Sequence, residues 1–336
     1  MASSRIEAIG DLRLECGETL ADARLACLTL GQLQPDGRNA VLVTHGYTSS
    51  HMFIAGQAGS EGSWAGLVGP GRAIDTEKYF VISSNMLGSS FGSTAPKSVN
   101  PAGGRAYGPD FPRITVRDII RAQRLLLGKL GVNHLRAVSG PSYGGFQAFA
   151  WGVEYPDFVD RLAPVVSAPA SPRSLDMDKL EARLARDPNW NGGHYYEAGG
   201  VHGTMRAIRE ETLLSYGIDD ELRAALPDAA TRDAAIRRMA DEWANSFDAH
   251  SLLALGRAAN AFDATPHLKQ IKARVLYVLS RTDAIFPPSL AASVMPALAA
   301  AGVDAAYHEI DSPHGHLASG TDAGKWAGRL RDFLES

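Results

Sequence analysis

Leu135-Arg136-Ala137-Val138-Ser139-Gly140-Pro141-Ser142-Tyr143-Gly144-Gly145 is the stretch whose reading decides the architecture. Residues 135–139 read as a strand and residues 146–153 as a helix, so a G-x-S-x-G pattern falls on the turn between them. A serine on so tight a turn needs small neighbours, because a Cβ two residues to either side would meet backbone. The turn also aims backbone N–H groups and a helix N-terminus at any negative charge that develops beside the hydroxyl. Five-residue matches of this kind arise by chance, and the strand–turn–helix setting is what makes Ser142 a candidate nucleophile.

Working outward, residues 39–44 (NAVLVT) and 79–83 (YFVIS) are short apolar runs suited to strands buried on both faces. Upstream, segments near 12–14 and 23–30 alternate as half-buried strands do. Residues 115–130 carry Val116, Ile119, Ile120, Gln123, Leu126 and Leu127 on one helical face, with Gly131 at the C-terminal stop. Residues 161–167 read as another strand. Strand patterns then cease, and from about Pro172 to Phe262 the chain is rich in Ala, Arg and Glu at helical spacing. Strand character returns at 274–279 and 305–310, with helices expected at 289–301 and 323–334. The pattern predicts an α/β class fold, a mostly parallel central sheet with helices on both faces. Residues 1–171 and 263–336 form the core, and 172–262 a helical lid insertion.

Bulk properties agree. The 336 residues, 45% of them hydrophobic, can bury a large core without metals or disulfides. A formal net charge of −4 with no basic stripe excludes a nucleic-acid partner. Cys16 and Cys27 make no disulfide framework, although a bond between them is left open. No apolar run reaches the ~20 residues that span a bilayer. The start, Met-Ala-Ser-Ser-Arg, leads into no signal-type segment. A cytoplasmic location and no membrane partner are expected.

A serine nucleophile on this kind of fold needs an acid and then a histidine later in the chain. Asp283 follows the apolar run 274–279 in Ser280-Arg281-Thr282-Asp283, at the strand end where α/β sheets place ligands. Its bland alternative is a turn or N-cap aspartate. His316 lies in Ser312-Pro313-His314-Gly315-His316, with His314 and His308 as rivals. Asp311, His314 and His316 also admit a metal reading, which H-x-H in a loop supports weakly. Order and context favour Ser142, Asp283 and His316 as a triad. His316 would take the serine proton and return it, with Asp283 fixing the imidazole. The backbone N–H groups of Tyr143 and Tyr47 would form the oxyanion hole, with His45 a packing residue beneath.

Longer motifs carry a resemblance. Gly17-Glu18-Thr19-Leu20, Gly69-Pro70-Gly71-Arg72-Ala73-Ile74-Asp75-Thr76 and Asn85-Met86-Leu87-Gly88 are three of them. Thr115-Val116-Arg117-Asp118 with Arg121-Ala122-Gln123, and Asp187-Pro188-Asn189-Trp190-Asn191-Gly192-Gly193, are two more. With these the chain resembles the homoserine O-acetyltransferase family of α/β-hydrolase-fold proteins over nearly its whole length. The resemblance implies that Arg209 and Tyr216, seven positions apart, lie near the carboxylate of an acceptor, and it suggests a homodimer through the lid. It also implies an aspartate directly after the catalytic histidine to hold the acceptor's amino group, where this chain has Leu317. Pro141 and Tyr143 in the elbow and His45-Gly46 before the oxyanion residue depart from the family wording too.

Two enzyme readings follow. In the first, preferred here, water removes the acyl group and the protein is an esterase-type hydrolase of a small ester, carboxylate-bearing if Arg209 sits as the resemblance implies. In the second, a small alcohol such as homoserine takes it from acetyl-CoA or a related thioester. No cofactor is expected beyond acetyl-CoA as co-substrate in the second case. A third reading, a non-catalytic binding protein on this fold, would show a damaged elbow or triad, and neither is seen.

Overall fold

The computed structural model describes residues 4–56, 62–173 and 175–336. Eight strands form one sheet: β1 (Arg5–Arg13), β2 (Thr19–Leu30), β3 (Ala40–Thr44), β4 (Phe80–Ser84), β5 (Leu135–Pro141), β6 (Arg161–Val165), β7 (Arg274–Ser280) and β8 (Ala305–Ile310). Their order is β1-β2-β4-β3-β5-β6-β7-β8. The β1–β2 and β2–β4 pairs are antiparallel. From β4 to β8 every pair is parallel. Strands β3, β4 and β6 are buried at every position, which is why they read as continuous apolar runs. Edge strand β8 is mostly half-buried.

The strand order reverses at β3, whose successor β4 lies on one side and β5 on the other. Crossovers leave in opposite directions there, and a crevice opens at the strands' C-terminal ends. Residues after β3 and β5, His45-Gly46-Tyr47 and Ser142, therefore share one edge of the sheet.

Helix α1 (Val116–Lys129) starts at a capping box, Thr115 with Asp118, and buries the face expected of it. Helix α2 (Tyr143–Glu154) is buried except at its last residue. A run of buried amides fastens both helices to the β3 loop. Trp151 Nε1 donates to Gln123 Oε1 at 2.8 Å, Gln123 Nε2 to Gln147 Oε1 at 2.7 Å, and Gln147 Nε2 to the His45 carbonyl at 3.2 Å.

Between β6 and β7 the chain makes α3 (Met177–Leu184), α4 (His202–Tyr216), α5 (Ile218–Leu222), α6 (Ala229–Ala244) and α7 (Ala249–Asn260), with no sheet strand among the described residues. Its two ends are tied by an antiparallel bridge between Ala170 and Asp263 and by Ser171 N–H to the Phe262 carbonyl at 3.0 Å. Aspartates Asp176, Asp228 and Asp248 cap α3, α6 and α7.

After β7 come α8 (Ala291–Ala300), β8, the short α9 (Ala318–Thr321) and α10 (Ala327–Glu335). The helix expected at 323–334 is shorter than its pattern. Trp326, at φ −134, interrupts it so that its indole can bury against Trp64, with ring centroids 5.5 Å apart. Cys16 is exposed, Cys27 is buried in β2, and both are free thiols.

Candidate active site

Ser142 sits between β5 and α2 at φ 56 and ψ −118, a conformation that non-glycine residues rarely adopt. Neighbours impose it. Ser142 N–H donates to the Val165 carbonyl at 2.9 Å, and Ser167 Oγ donates to the Ser142 carbonyl at 2.7 Å. Thr44, the last residue of β3, packs into the elbow. A Cβ on Gly140 would lie 2.2 Å from both the carbonyl oxygen and Oγ1 of Thr44. Thr44 Oγ1 donates to the Gly144 carbonyl at 2.9 Å, which locks the turn to β3.

Asp283 follows β7 and His316 follows β8, so both stand on the same sheet edge as Ser142. His316 Nδ1 and Asp283 Oδ2 are 2.8 Å apart and buried. The other carboxylate oxygen accepts from the N–H groups of Ile285 at 2.8 Å and Phe286 at 3.2 Å. Burial alone would raise the Asp283 pKa, but the adjacent His316 and these hydrogen bonds outweigh it and hold it below the usual carboxylate value. With Nδ1 donating to the carboxylate, Nε2 is the imidazole nitrogen left to face a reactant. The ring is wedged between Phe286 (centroids 5.8 Å apart, nearly parallel at 25°) and Tyr216 (5.2 Å). Ser142 and His316 line the same cavities, yet no hydrogen bond joins hydroxyl to imidazole. Such contacts often close only around a bound substrate.

The rival histidines lie elsewhere. His308 is on β8 and His314 precedes the turn, and neither lines these cavities. Asp311 pairs with Arg281 at 2.6 Å, and among the described residues no trio of His, Cys, Asp or Glu is placed to hold a metal.

The loop after β3 is held from both sides. Below, His45 is fully buried. Its Nε2 accepts from Met86 N–H at 3.1 Å, which leaves Nδ1 as the donor to the Gly46 carbonyl at 2.9 Å. Burial depresses its pKa to about 3, so it stays neutral and moves no proton. Above, three helices grip Tyr47 and Thr48. Tyr47 Oη donates to the Leu252 carbonyl of α7. Trp243 Nε1 of α6 donates to the Thr48 carbonyl at 2.9 Å, and Arg209 Nη1 of α4 to Thr48 Oγ1 at 2.8 Å. Tyr143 Oη also reaches α7, at the Leu255 carbonyl (3.3 Å). Gly256 explains itself here, since a Cβ in that helix would sit 2.6 Å from Tyr47 Oη.

Two cavities meet at Ser142, sharing Tyr47, Tyr216 and His316. One, about 50 Å³, runs past Ser49, Phe53, Gly62 and Leu317. The other, about 290 Å³, runs past Phe146, Leu175, Ala259, Ile285 and Phe286. Tyr216 thus lines both. Arg209 lines neither. It is 1% exposed, with its guanidinium 5.1 Å from the Trp243 ring centre. Leu317 is 5% exposed and packs with Leu213, Ile218, Ile236 and Ala240 of the inserted helices. Nothing in the sequence marks Thr48 or Trp243 for this site, beyond the position of Thr48 beside Tyr47.

Residues 39–323 match the α/β hydrolase fold family. A homoserine O-succinyltransferase of Comamonas testosteroni is 35% identical over 96% of this chain and 92% of its own. A homoserine O-acetyltransferase of Haemophilus influenzae is 34% identical over 96% of both. The chain belongs to the homoserine O-acyltransferase family of α/β hydrolases. Among solved structures, the homoserine O-acetyltransferase of Bacillus anthracis superposes at a TM-score of 0.89 with 25% identity, over 100% of this chain and 98% of that one. An esterase superposes at 0.87 with 27% identity, over 99% and 100%. An acetylester hydrolase of Corynebacterium glutamicum gives 0.83 with 25% identity, over 99% and 96%. This chain is thus an enzyme of the α/β-hydrolase fold whose structural neighbours include both an acyltransferase and ester hydrolases.

Proposed function

We propose that the protein hydrolyses a small ester through an acyl-enzyme on Ser142, with water as the acyl acceptor. Ser142 Oγ attacks the ester carbonyl carbon while His316 Nε2 takes its proton. The carbonyl electron pair moves to oxygen, where the N–H groups of Tyr47 and Tyr143 stabilise it. Collapse expels the alcohol, which leaves with the proton from His316. Water then attacks the acyl-enzyme, gives a proton to His316, and the second collapse releases the carboxylic acid and restores the serine. Asp283 remains ionised throughout and keeps the imidazole in one tautomer.

The observation that carries the choice of water is Leu317. The position after the histidine bears a buried leucine packed into an apolar cluster, where the resemblance implies a carboxylate for an acceptor's ammonium group. Leaving that ammonium unpaired costs roughly 2–5 kcal/mol, about 30-fold to several thousandfold in affinity. Arg209, bonded to Thr48, lines neither cavity, so the ester needs no carboxylate to be recognised.

The second reading is acetyl or succinyl transfer to homoserine. The names of the curated relatives favour it over hydrolysis. Steady-state assays separate the two. Turnover of p-nitrophenyl acetate, with no acceptor-dependent release of CoA from acetyl-CoA, supports hydrolysis; CoA release that rises with homoserine reverses it.

The proposal extends to the inserted helices, residues 172–262, as a lid that carries substrate choice and a homodimer contact, checked by sedimentation. A cytoplasmic site of action belongs to the same reading; no described helix is long and apolar enough to cross a membrane.

A further inference from the structure

We infer that the substrate is a lopsided neutral ester: one end no larger than a short acyl or alkyl group, the other an extended apolar chain or ring. The inference rests on Ser142 as the nucleophile and deepens that reading by naming the substrate class.

Four observations carry it. The two cavities meet only around Ser142, Tyr47, Tyr216 and His316, so the two ends of an ester bound at the serine must part between them. Their volumes, about 50 and 290 Å³, give the longer end its room in the larger one. No Asp, Glu, Lys or Arg lines the larger one among the described residues, and Phe146, Ile285 and Phe286 form much of its wall, beside the hydroxyl residues Ser171, Thr212 and Ser215. Lastly, two of the three tyrosines in that wall, Tyr47 and Tyr143, present faces rather than hydroxyls, because their Oη atoms are committed to the carbonyls of Leu252 and Leu255 on α7. A charged group in this chamber would lose its hydration and find no counter-charge. An apolar one would be favoured in proportion to the surface it buries. At the outer end, Leu175 is 37% exposed, an apolar rim for a chain to enter past.

The acyl and the alcohol side are chemically alike for this purpose, and the test tells them apart. Three ester series are compared by kcat/KM: acetates of lengthening alcohols, methyl esters of lengthening acids, and esters long at both ends. One single-ended series should rise about fourfold per methylene over the first several carbons, while the other falls once past propyl size and the doubly long esters are poor. A terminal carboxylate on the favoured arm should remove most of the gain. Parallel rises in both series, good turnover of doubly long esters, or preference for the charged arm overturns the inference. Ala259→Trp, which narrows the larger chamber, should flatten the favoured rise by about tenfold at eight carbons. Thr212→Phe, on α4, is the second variant should the first fail to fold, and an undiminished rise in a folded variant counts against the assignment.

Labelling of Ser142 by alkylphosphonate esters of graded chain length needs no water as acceptor. The same one-sided length dependence there, with no ester hydrolysed, would uphold the chamber and sink the hydrolase reading. Equal labelling at all lengths on both arms, or none at Ser142, would sink the inference itself.

Discussion

Arg209 Nη1 donates a hydrogen bond to Thr48 Oγ1 at 2.8 Å, joining residues 161 positions apart in the chain. The bond places a buried arginine behind the cavity wall and makes it a support for the loop that carries the Tyr47 N–H. The indole of Trp243 holds the same threonine by its carbonyl. An oxyanion donor works only if its position is fixed before charge develops, so the proposed role of the Tyr47 N–H would make the helices above the sheet part of the catalytic geometry. Thr48→Val keeps the volume and removes the acceptor. Its kcat should fall about tenfold to a hundredfold with KM little changed, and Thr48→Ser should restore most of the loss. A fall confined to thermal stability would mean that the bond is only structural.

The elbow is built by close approach, and Gly140 is its tightest point. Gly140→Ala would put a methyl 2.2 Å from the Thr44 carbonyl oxygen, which is backbone and cannot swing aside. Chemical denaturation should show a loss of about 3 kcal/mol or more, or no folded protein.

Much of this was legible in the sequence where one local pattern serves one local purpose. Strands β3 and β4 are buried on both faces and so appear as unbroken apolar runs. The elbow announces itself because its glycines and serine are contiguous. Order along the chain singles out Asp283 and His316 as candidates, and the structure brings them to 2.8 Å. What local pattern cannot show is a partner chosen by the fold. Nothing near Arg209 or Trp243 marks Thr48 as their common target, and Trp326 breaks a periodic segment only because Trp64 waits beside it. Leu317 carried meaning only through the family resemblance, since a leucine in a loop is otherwise mute.

Acid should destabilise the protein through two buried histidines. His45 and His51 have pKa values depressed from 6.5 to about 3 and about 4, mainly by burial. Between those values and 6.5 the unfolded chain binds protons that the folded chain does not. Stability is therefore undiminished above pH 6.5 and declines as the pH falls, by up to about 1.4 kcal/mol per pH unit for each histidine. Urea denaturation at pH 4.5 to 6.5 measures the slope. His45→Gln should remove close to one proton's share of it, whatever it does to absolute stability.

Leu317→Asp puts a carboxylate beside His316 at the small cavity. Acceptor-dependent release of CoA from acetyl-CoA with homoserine should rise at least about tenfold over the parent, in line with pairing a desolvated ammonium group. No change would show that the leucine is not what bars an amine-bearing acceptor.

The account depends most on the hydroxyl of Ser142, and turnover of p-nitrophenyl acetate by Ser142→Ala beside the parent enzyme tests it most directly. With the variant shown to be folded by its circular dichroism, kcat should drop by about a thousandfold or more. A variant that hydrolyses the ester at the parent rate would contradict the account.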